Sequence, residues 1–99
     1  MKHFRPPPSE EAVLQALNSC QWIDHEARVV ARDLGCSRRQ AFNALRAIAA
    51  KGYARHISYK EDGRQYDSFR ITKEGLGVIG APPEPNPYAL PEWRYVHVR

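Results

Sequence analysis

The spacing of apolar residues at the start of the chain predicts two helices. Ser9 is a good N-cap residue, and the apolar positions after it recur at helical intervals as far as Asn18. Asp24 is the predicted N-cap of a second helix, whose apolar stripe stops at Gly35. Glycine favours the left-handed conformation that ends a helix, so we expect the second helix to end there.

The third predicted helix, residues 37–50, has the clearest signals. Ser37 and Gln40 have the spacing of a capping box, and Gly52 is the expected stop. Only three residues, 35–37, link this helix to the second, so the two must cross steeply, as in a helix-turn-helix. The apolar stripe that should face the core is Ala41, Leu45, Ile48 and Ala49.

After the third helix the pattern changes to two strands, residues 53–60 and 64–71. A three-residue loop, Glu61-Asp62-Gly63, would pair Lys60 with Arg64, whereas a two-residue Asp-Gly turn would place Ile57 opposite Ser68. We prefer the three-residue loop because it gives the hairpin a single apolar face. That face would consist of Tyr53, Ile57, Phe69 and Ile71.

Proline-rich segments delimit the predicted domain, residues 9–80, which should close with a short helix capped by Thr72. Residues 1–8 form an extended arm, and residues 81–87 a stiff polyproline-type spacer. The aromatic tail, residues 88–99, is apolar enough to mark an interaction. We expect the tail to pack against a second copy and make a homodimer; the alternative is that it folds back over its own domain.

Positive charge is concentrated in the middle of the chain. Residues 28–60 hold eight basic side chains against Asp33 alone, a net charge of +7, whereas the whole chain carries +4. Such a block is typical of a surface that binds a polyanion.

Other function classes lack support in the sequence. No apolar run approaches a membrane span and no signal peptide follows the first residue, so we expect a cytoplasmic protein. Two cysteines and four histidines lack metal-ligand spacing, and no nucleophile and base are paired. We therefore predict no enzymatic activity, no metal and no cofactor.

The order of the elements resembles the winged helix-turn-helix regulators of bacteria and phage. The resemblance covers residues 9–80 and rests on the segments Leu34–Ala41, Leu45–Ile48, Lys51–Tyr53 and Phe69–Gly75. It implies an α+β fold in which a three-helix bundle carries a β-hairpin wing. It also implies binding to double-stranded DNA, with the third helix in the major groove.

The face of the third helix opposite its apolar stripe supplies the predicted contacts. Arginine and asparagine pair bidentately with guanine and adenine, and Phe42 could touch a thymine methyl group or a protein partner. Arg28 and Arg32 are expected at backbone phosphates, with Lys60 and Arg64 as the cations of the wing. The predicted DNA-binding residues are Arg38, Arg39, Phe42, Asn43, Arg46, Arg28, Arg32, Lys60 and Arg64.

The sequence leads to the hypothesis of a sequence-specific transcriptional regulator. The alternatives are a winged-helix protein-interaction module and an accessory factor in the replication or recombination of a mobile element. DNA binding requires an exposed and contiguous basic block, whereas a protein interface would use Phe42 amid fewer cations.

Overall fold

The structure, a computed structural model, describes residues 6–87 of the 99-residue chain, so the predicted homodimer interface in residues 88–99 lies outside the described residues. The described elements form an α+β winged helix-turn-helix, as predicted, with an antiparallel sheet in the order β1-β3-β2. None of the helices in this part of the chain is both long and apolar enough to cross a membrane. The elements are α1 (Glu10–Asn18), β1 (His25–Glu26), α2 (Ala27–Leu34), α3 (Arg38–Ala50), β2 (Ala54–Glu61), β3 (Arg64–Ile71) and α4 (Lys73–Val78).

Local capping signals set most helix ends where the sequence predicts them. The Ser9 hydroxyl accepts a hydrogen bond from a backbone N–H in the first turn of α1, and Ser37 and Gln40 form a complete capping box at α3. Gly35 ends α2 with a left-handed φ of 66°, and the Thr72 side chain caps α4. These four predictions are confirmed.

The start of α2 differs from the prediction that Asp24 is its N-cap. The N-cap is Glu26, and its side chain makes no capping hydrogen bond. Residues 25–26 pair with β3, and the Asp24 carboxylate accepts a hydrogen bond from Arg70 Nε at 2.9 Å. The prediction for Asp24 was wrong because pairing with a distant strand, which no local signal reveals, extends the chain past it.

The hairpin adopts the register that we rejected from the sequence. Asp62 and Gly63 alone form the turn, with φ values of 51° and 77°, so Glu61 pairs with Arg64. A two-residue turn with two positive φ angles matches the right-handed twist of the strands that it joins. The predicted three-residue loop was wrong.

The wrong register followed from a wrong choice of core residue. Phe69 is fully buried and lies opposite His56, whose ring stacks on it at a centroid distance of 4.4 Å. Ile57 lies opposite Ser68 on the other face. The predicted apolar face did not include His56, yet its ring covers the central aromatic residue of the sheet.

The hydrophobic core lies between α1, α2, α3 and the inner face of the sheet. The stripe predicted for α3 is buried at Ala41, Leu45 and Ile48, which confirms how that helix is rotated. Burial of each large side chain stabilises the fold by about 1.5–3 kcal/mol. The largest fully buried side chains are Phe69, Leu14, Leu17, Leu45, Ile48, Val13 and Val30.

Residues 82–84, which we call the strap, lie against the corner between α1 and β1. Gln21 is only 7% exposed; its Nε2 donates to the carbonyl oxygen of Pro82 at 3.0 Å, and its Oε1 accepts from the Glu84 N–H at 2.8 Å. Trp22 Nε1 donates to the Glu84 carbonyl oxygen at 2.9 Å. The strap is therefore bound to the domain, a contact that the sequence, which predicts only a stiff spacer over residues 81–87, did not indicate.

The capping box of α3 gives a first testable prediction. Ser37→Ala should destabilise the fold by about 0.5–2 kcal/mol, because it leaves the Gln40 backbone N–H without its acceptor. Urea denaturation measures the loss. Ser37→Asp restores an N-cap acceptor and should denature near the wild-type midpoint. Equal losses for the two variants would mean that the hydroxyl is not acting as a cap.

Candidate nucleic-acid interface

An open groove of about 800 Å³ lies between the start of α2, the start of α3 and the wing strand β3. Pairing of β1 with β3 brings the start of α2 beside the wing, and the short turn at residues 35–37 brings the start of α3 to the same place. We call it the arginine groove. Its lining contains four arginines and two acids: Glu26, Ala27, Arg28, Arg38, Arg39, Phe42, Arg64, Gln65, Tyr66 and Asp67.

Three of the four arginines in the groove take no part in the ion pairs of residues 6–87. Arg38, Arg39 and Arg64 are exposed, and none of them forms an ion pair with another residue in the range 6–87. Arg38 and Arg39 stand in the first turn of α3, where the helix dipole disfavours cations. Three guanidinium groups around one groove favour a partner that supplies several negative charges.

Both acids of the groove have partners. Glu26 Oε2 accepts a hydrogen bond from Arg28 Nε at 2.6 Å. This bond, with the charge attraction of the same carboxylate, raises the pKa of the Arg28 guanidinium above its ordinary value. On the wing, Asp67 Oδ1 lies 2.8 Å from His56 Nε2, at hydrogen-bonding distance. Neither acid therefore cancels the charge of the three unpaired arginines directly.

The outer face of α3 continues from the groove along the helix. Arg39, Asn43 and Arg46 are exposed at positions i, i+4 and i+7, so they share one face, as predicted from the apolar stripe. Ala47 and Ala50 are exposed at i+8 and i+11 on the same face. The sequence analysis missed these two alanines, although their spacing from Arg39 was available as a signal. Such small side chains allow close approach of a partner.

Phe42 lines the groove but is less exposed than predicted from the sequence. Its half-buried ring packs against the core, with its edges toward Phe69 and His56 at centroid distances of 6.2 Å. The guanidinium carbon of Arg46 lies 5.8 Å from the ring centroid, within the range of a cation–π contact. The prediction failed because the wing covers this side of α3, and the periodicity of a single helix does not contain the wing.

Of the four remaining predicted contact residues, two lie at the groove and two do not. Arg28 and Arg64 line the groove, whereas Arg32 and Lys60 are exposed but do not line it. The sequence analysis missed Glu26, Tyr66 and Asp67 because their positions depend on the strand register. Among residues 6–87, no three His, Cys, Asp or Glu side chains are grouped so that they could hold a metal ion.

Comparison with solved structures identifies the fold. One similar structure is the PcaV transcriptional regulator from Streptomyces coelicolor, solved with its natural ligand. It is 26% identical over 75% of the present chain, with a TM-score of 0.59. A mutant of S. aureus MepR bound to an oligodeoxyribonucleotide is 19% identical over 73%, with a TM-score of 0.62. Bacillus subtilis PadR in complex with operator DNA is 12% identical over 89%, with a TM-score of 0.60.

The likeness extends over part of each regulator. The alignments cover 52%, 52% and 56% of PcaV, MepR and PadR, so the chain spans about half the length of these proteins. No protein-family model and no curated protein matches the chain. The shared part comprises most of the described elements, and the chain has the winged helix-turn-helix fold of these transcriptional regulators.

Proposed function

We propose that this chain binds double-stranded DNA with sequence preference and acts as a transcriptional regulator. The observation that carries the proposal is the set of exposed guanidinium groups of Arg38, Arg39 and Arg64 around one groove, none of which forms an ion pair within residues 6–87. Duplex DNA supplies closely spaced phosphates, and each phosphate that is neutralised releases counterions. The oligodeoxyribonucleotide and the operator DNA bound by the MepR mutant and by PadR support the same role.

In this proposal, one surface contacts the bases and a neighbouring surface contacts the phosphates. The outer face of α3 would enter the major groove, with Arg39, Asn43 and Arg46 directed at base edges. Arg38 and Arg64, at the groove beside this face, would bind backbone phosphates and fix the position of the helix on the duplex. The exposed alanines farther along α3 would let the helix backbone approach the DNA.

Exposure of the basic block favours DNA over a protein partner. All eight basic residues of the segment 28–60 are exposed. Phe42, the aromatic residue on which a protein-interaction module would have depended, is half-buried against its own core and presents only part of its ring to the groove. The solved neighbours are regulators, and we propose a binding role rather than a catalytic one. A homodimer through residues 88–99, which would let one complex read two half-sites, stays a prediction.

Selection of bound sequences from random duplex DNA tests the proposal, and we expect an enriched motif. On that motif Asn43→Ala should lose about 1–3 kcal/mol, or about 5- to 150-fold in affinity, because an amide that reads a base edge is removed. On random DNA the same variant should bind nearly as the wild type does.

Lys73→Ala is the control. Lys73 is an exposed cation at the start of α4, outside the basic segment 28–60 and outside the lining of the arginine groove. Its loss should therefore leave both affinities nearly unchanged. Absence of any enriched motif contradicts the proposal. Equal losses on motif and random DNA would remove Asn43 from the base-reading residues.

A further inference from the structure

One of the four arginines in the groove already forms an ion pair within the chain. Arg28 Nε is bound to Glu26 Oε2 at 2.6 Å, whereas the other three arginines have no ion-pair partner among the described residues. From the sequence alone we expected Arg28 to bind a DNA phosphate. We infer that Glu26 withholds Arg28 from DNA and so lowers the affinity of the chain for every duplex. This inference rests on the proposed function.

The pair lies at the start of α2, where Glu26 does not act as a hydrogen-bonding cap. Glu26 is the N-cap residue, yet its carboxylate accepts no hydrogen bond from the first turn. Arg28 stands in that first turn, where a cation is disfavoured by the helix dipole. A serine or aspartate at the N-cap would stabilise α2 better. The carboxylate is instead committed to the guanidinium group.

The ion pair between Arg28 and Glu26 is weak enough that a DNA phosphate can compete with Glu26 for Arg28. The Arg28 and Glu26 side chains are 68% and 33% exposed, so water screens their attraction. An exposed ion pair shifts an equilibrium by about fivefold at most. To bind a phosphate, Arg28 must leave Glu26, and the freed carboxylate then faces the phosphate backbone. Both effects weaken the complex.

The expected consequence concerns affinity rather than sequence preference. A phosphate contact carries no sequence information, so releasing Arg28 should strengthen binding to the selected motif and to random DNA alike. It should also add one cation to those that release counterions. The plot of log affinity against log salt concentration should then steepen by about 0.9.

The test compares four full-length proteins: the wild type, Glu26→Gln, Arg28→Ala and the double variant. Each is titrated with the selected motif and with a random duplex of equal length over a series of salt concentrations. Glu26→Gln should bind both duplexes several-fold more tightly, with the steeper salt slope. Arg28→Ala and the double variant should keep the wild-type slope, because neither contains the Arg28 side chain that the loss of Glu26 would release. Thermal melting verifies that all four are folded.

Simple loss of negative charge is the rival explanation, and Asp67→Asn is the matched control for it. That substitution also removes an acid from the lining of the groove, but it frees no arginine. An equal steepening with Asp67→Asn, or a steepening that persists in the double variant, would overturn the inference. A wild type that binds no duplex overturns the proposed function itself. A wild type that binds, with an unchanged slope in Glu26→Gln, overturns only the role of Glu26.

Discussion

Gly75→Ala is expected to destabilise the fold by about 3 kcal/mol or more, because no room exists for a methyl group at this position. A Cβ atom on Gly75 would lie 2.1 Å from the carbonyl oxygen of Tyr53 and 2.9 Å from Cγ1 of Ile71. The Tyr53 carbonyl oxygen also accepts the backbone N–H of Thr72 at 3.1 Å, so a shift to relieve the clash disturbs the junction of α4 with the sheet.

Gly77→Ala, in the same short helix, is the control with the opposite sign. No atom lies within 4 Å of a Cβ at Gly77, so alanine should stabilise α4 by about 0.5–1 kcal/mol through its higher helix propensity. Thermal melting followed by circular dichroism measures both variants, at about 4–8 °C per kcal/mol for a domain of this size. A Gly75→Ala variant that melts with or above the wild type would show that α4 does not pack this closely on Tyr53.

Leu45→Ala should destabilise the fold by about 2–5 kcal/mol, since it removes apolar contacts and leaves a cavity. Leu45 is 0% exposed and belongs to the cluster that joins α1, α2, α3 and the sheet. The midpoint of urea denaturation should fall while the slope of the transition stays constant.

Two variants serve as controls for Leu45→Ala. Leu45→Met keeps the side-chain volume and should cost less than about 1.5 kcal/mol. Arg46→Ala changes the adjacent, exposed position and should alter stability by no more than about 0.5 kcal/mol. A wild-type midpoint for Leu45→Ala would mean that α3 is rotated differently, and the face assigned to DNA would move with it.

The parts of the fold that the sequence predicts are those fixed by neighbouring residues. Ser9 and Ser37 satisfy backbone donors within their own first turn, and Gly35 adopts its left-handed conformation next to the helix that it ends. The apolar stripe of α3 repeats within a single helix, so Leu45 and Ile48 could be assigned to the core without knowledge of their partners.

Most of the errors involve contacts between distant parts of the chain; the hairpin turn is the exception, because the Asp62-Gly63 pair is itself a local signal for a two-residue turn. Asp24 has the residue type of an N-cap, but the pairing of β1 with β3 keeps the chain extended there. Ile57 has the residue type of a core position, but the strand register pairs it with Ser68 and places His56 opposite the buried Phe69. Phe42 belongs to the polar side of an isolated helix and becomes half-buried only because the wing folds over it.

The candidate site likewise contains residues that the sequence predicts and residues whose positions depend on the folded structure. Arg39, Asn43 and Arg46 lie on one helix, and their common face follows from helical spacing alone. The convergence of Arg28, Arg38 and Arg64 on one groove depends on the positions of three elements, and the sequence does not give these positions. The bond between Glu26 and Arg28 requires the chain to turn from strand to helix at Glu26, which was missed when Asp24 was assigned as the cap.

The strap shortens the tether between the domain and whatever follows it. A free spacer over residues 81–87 would span about 20 Å at about 3.1 Å per residue. With residues 82–84 bound at the corner, at most the last three residues of that spacer, about 9 Å, remain to span the distance. In general, a shorter tether raises the effective concentration of the two groups that it joins. Of residues 82–85, only Glu84 has a backbone N–H, and Gln21 binds it, so a shift of the strap by one residue would lose this bond. Release of the strap would add its three residues to the tether and about double the length of the tether.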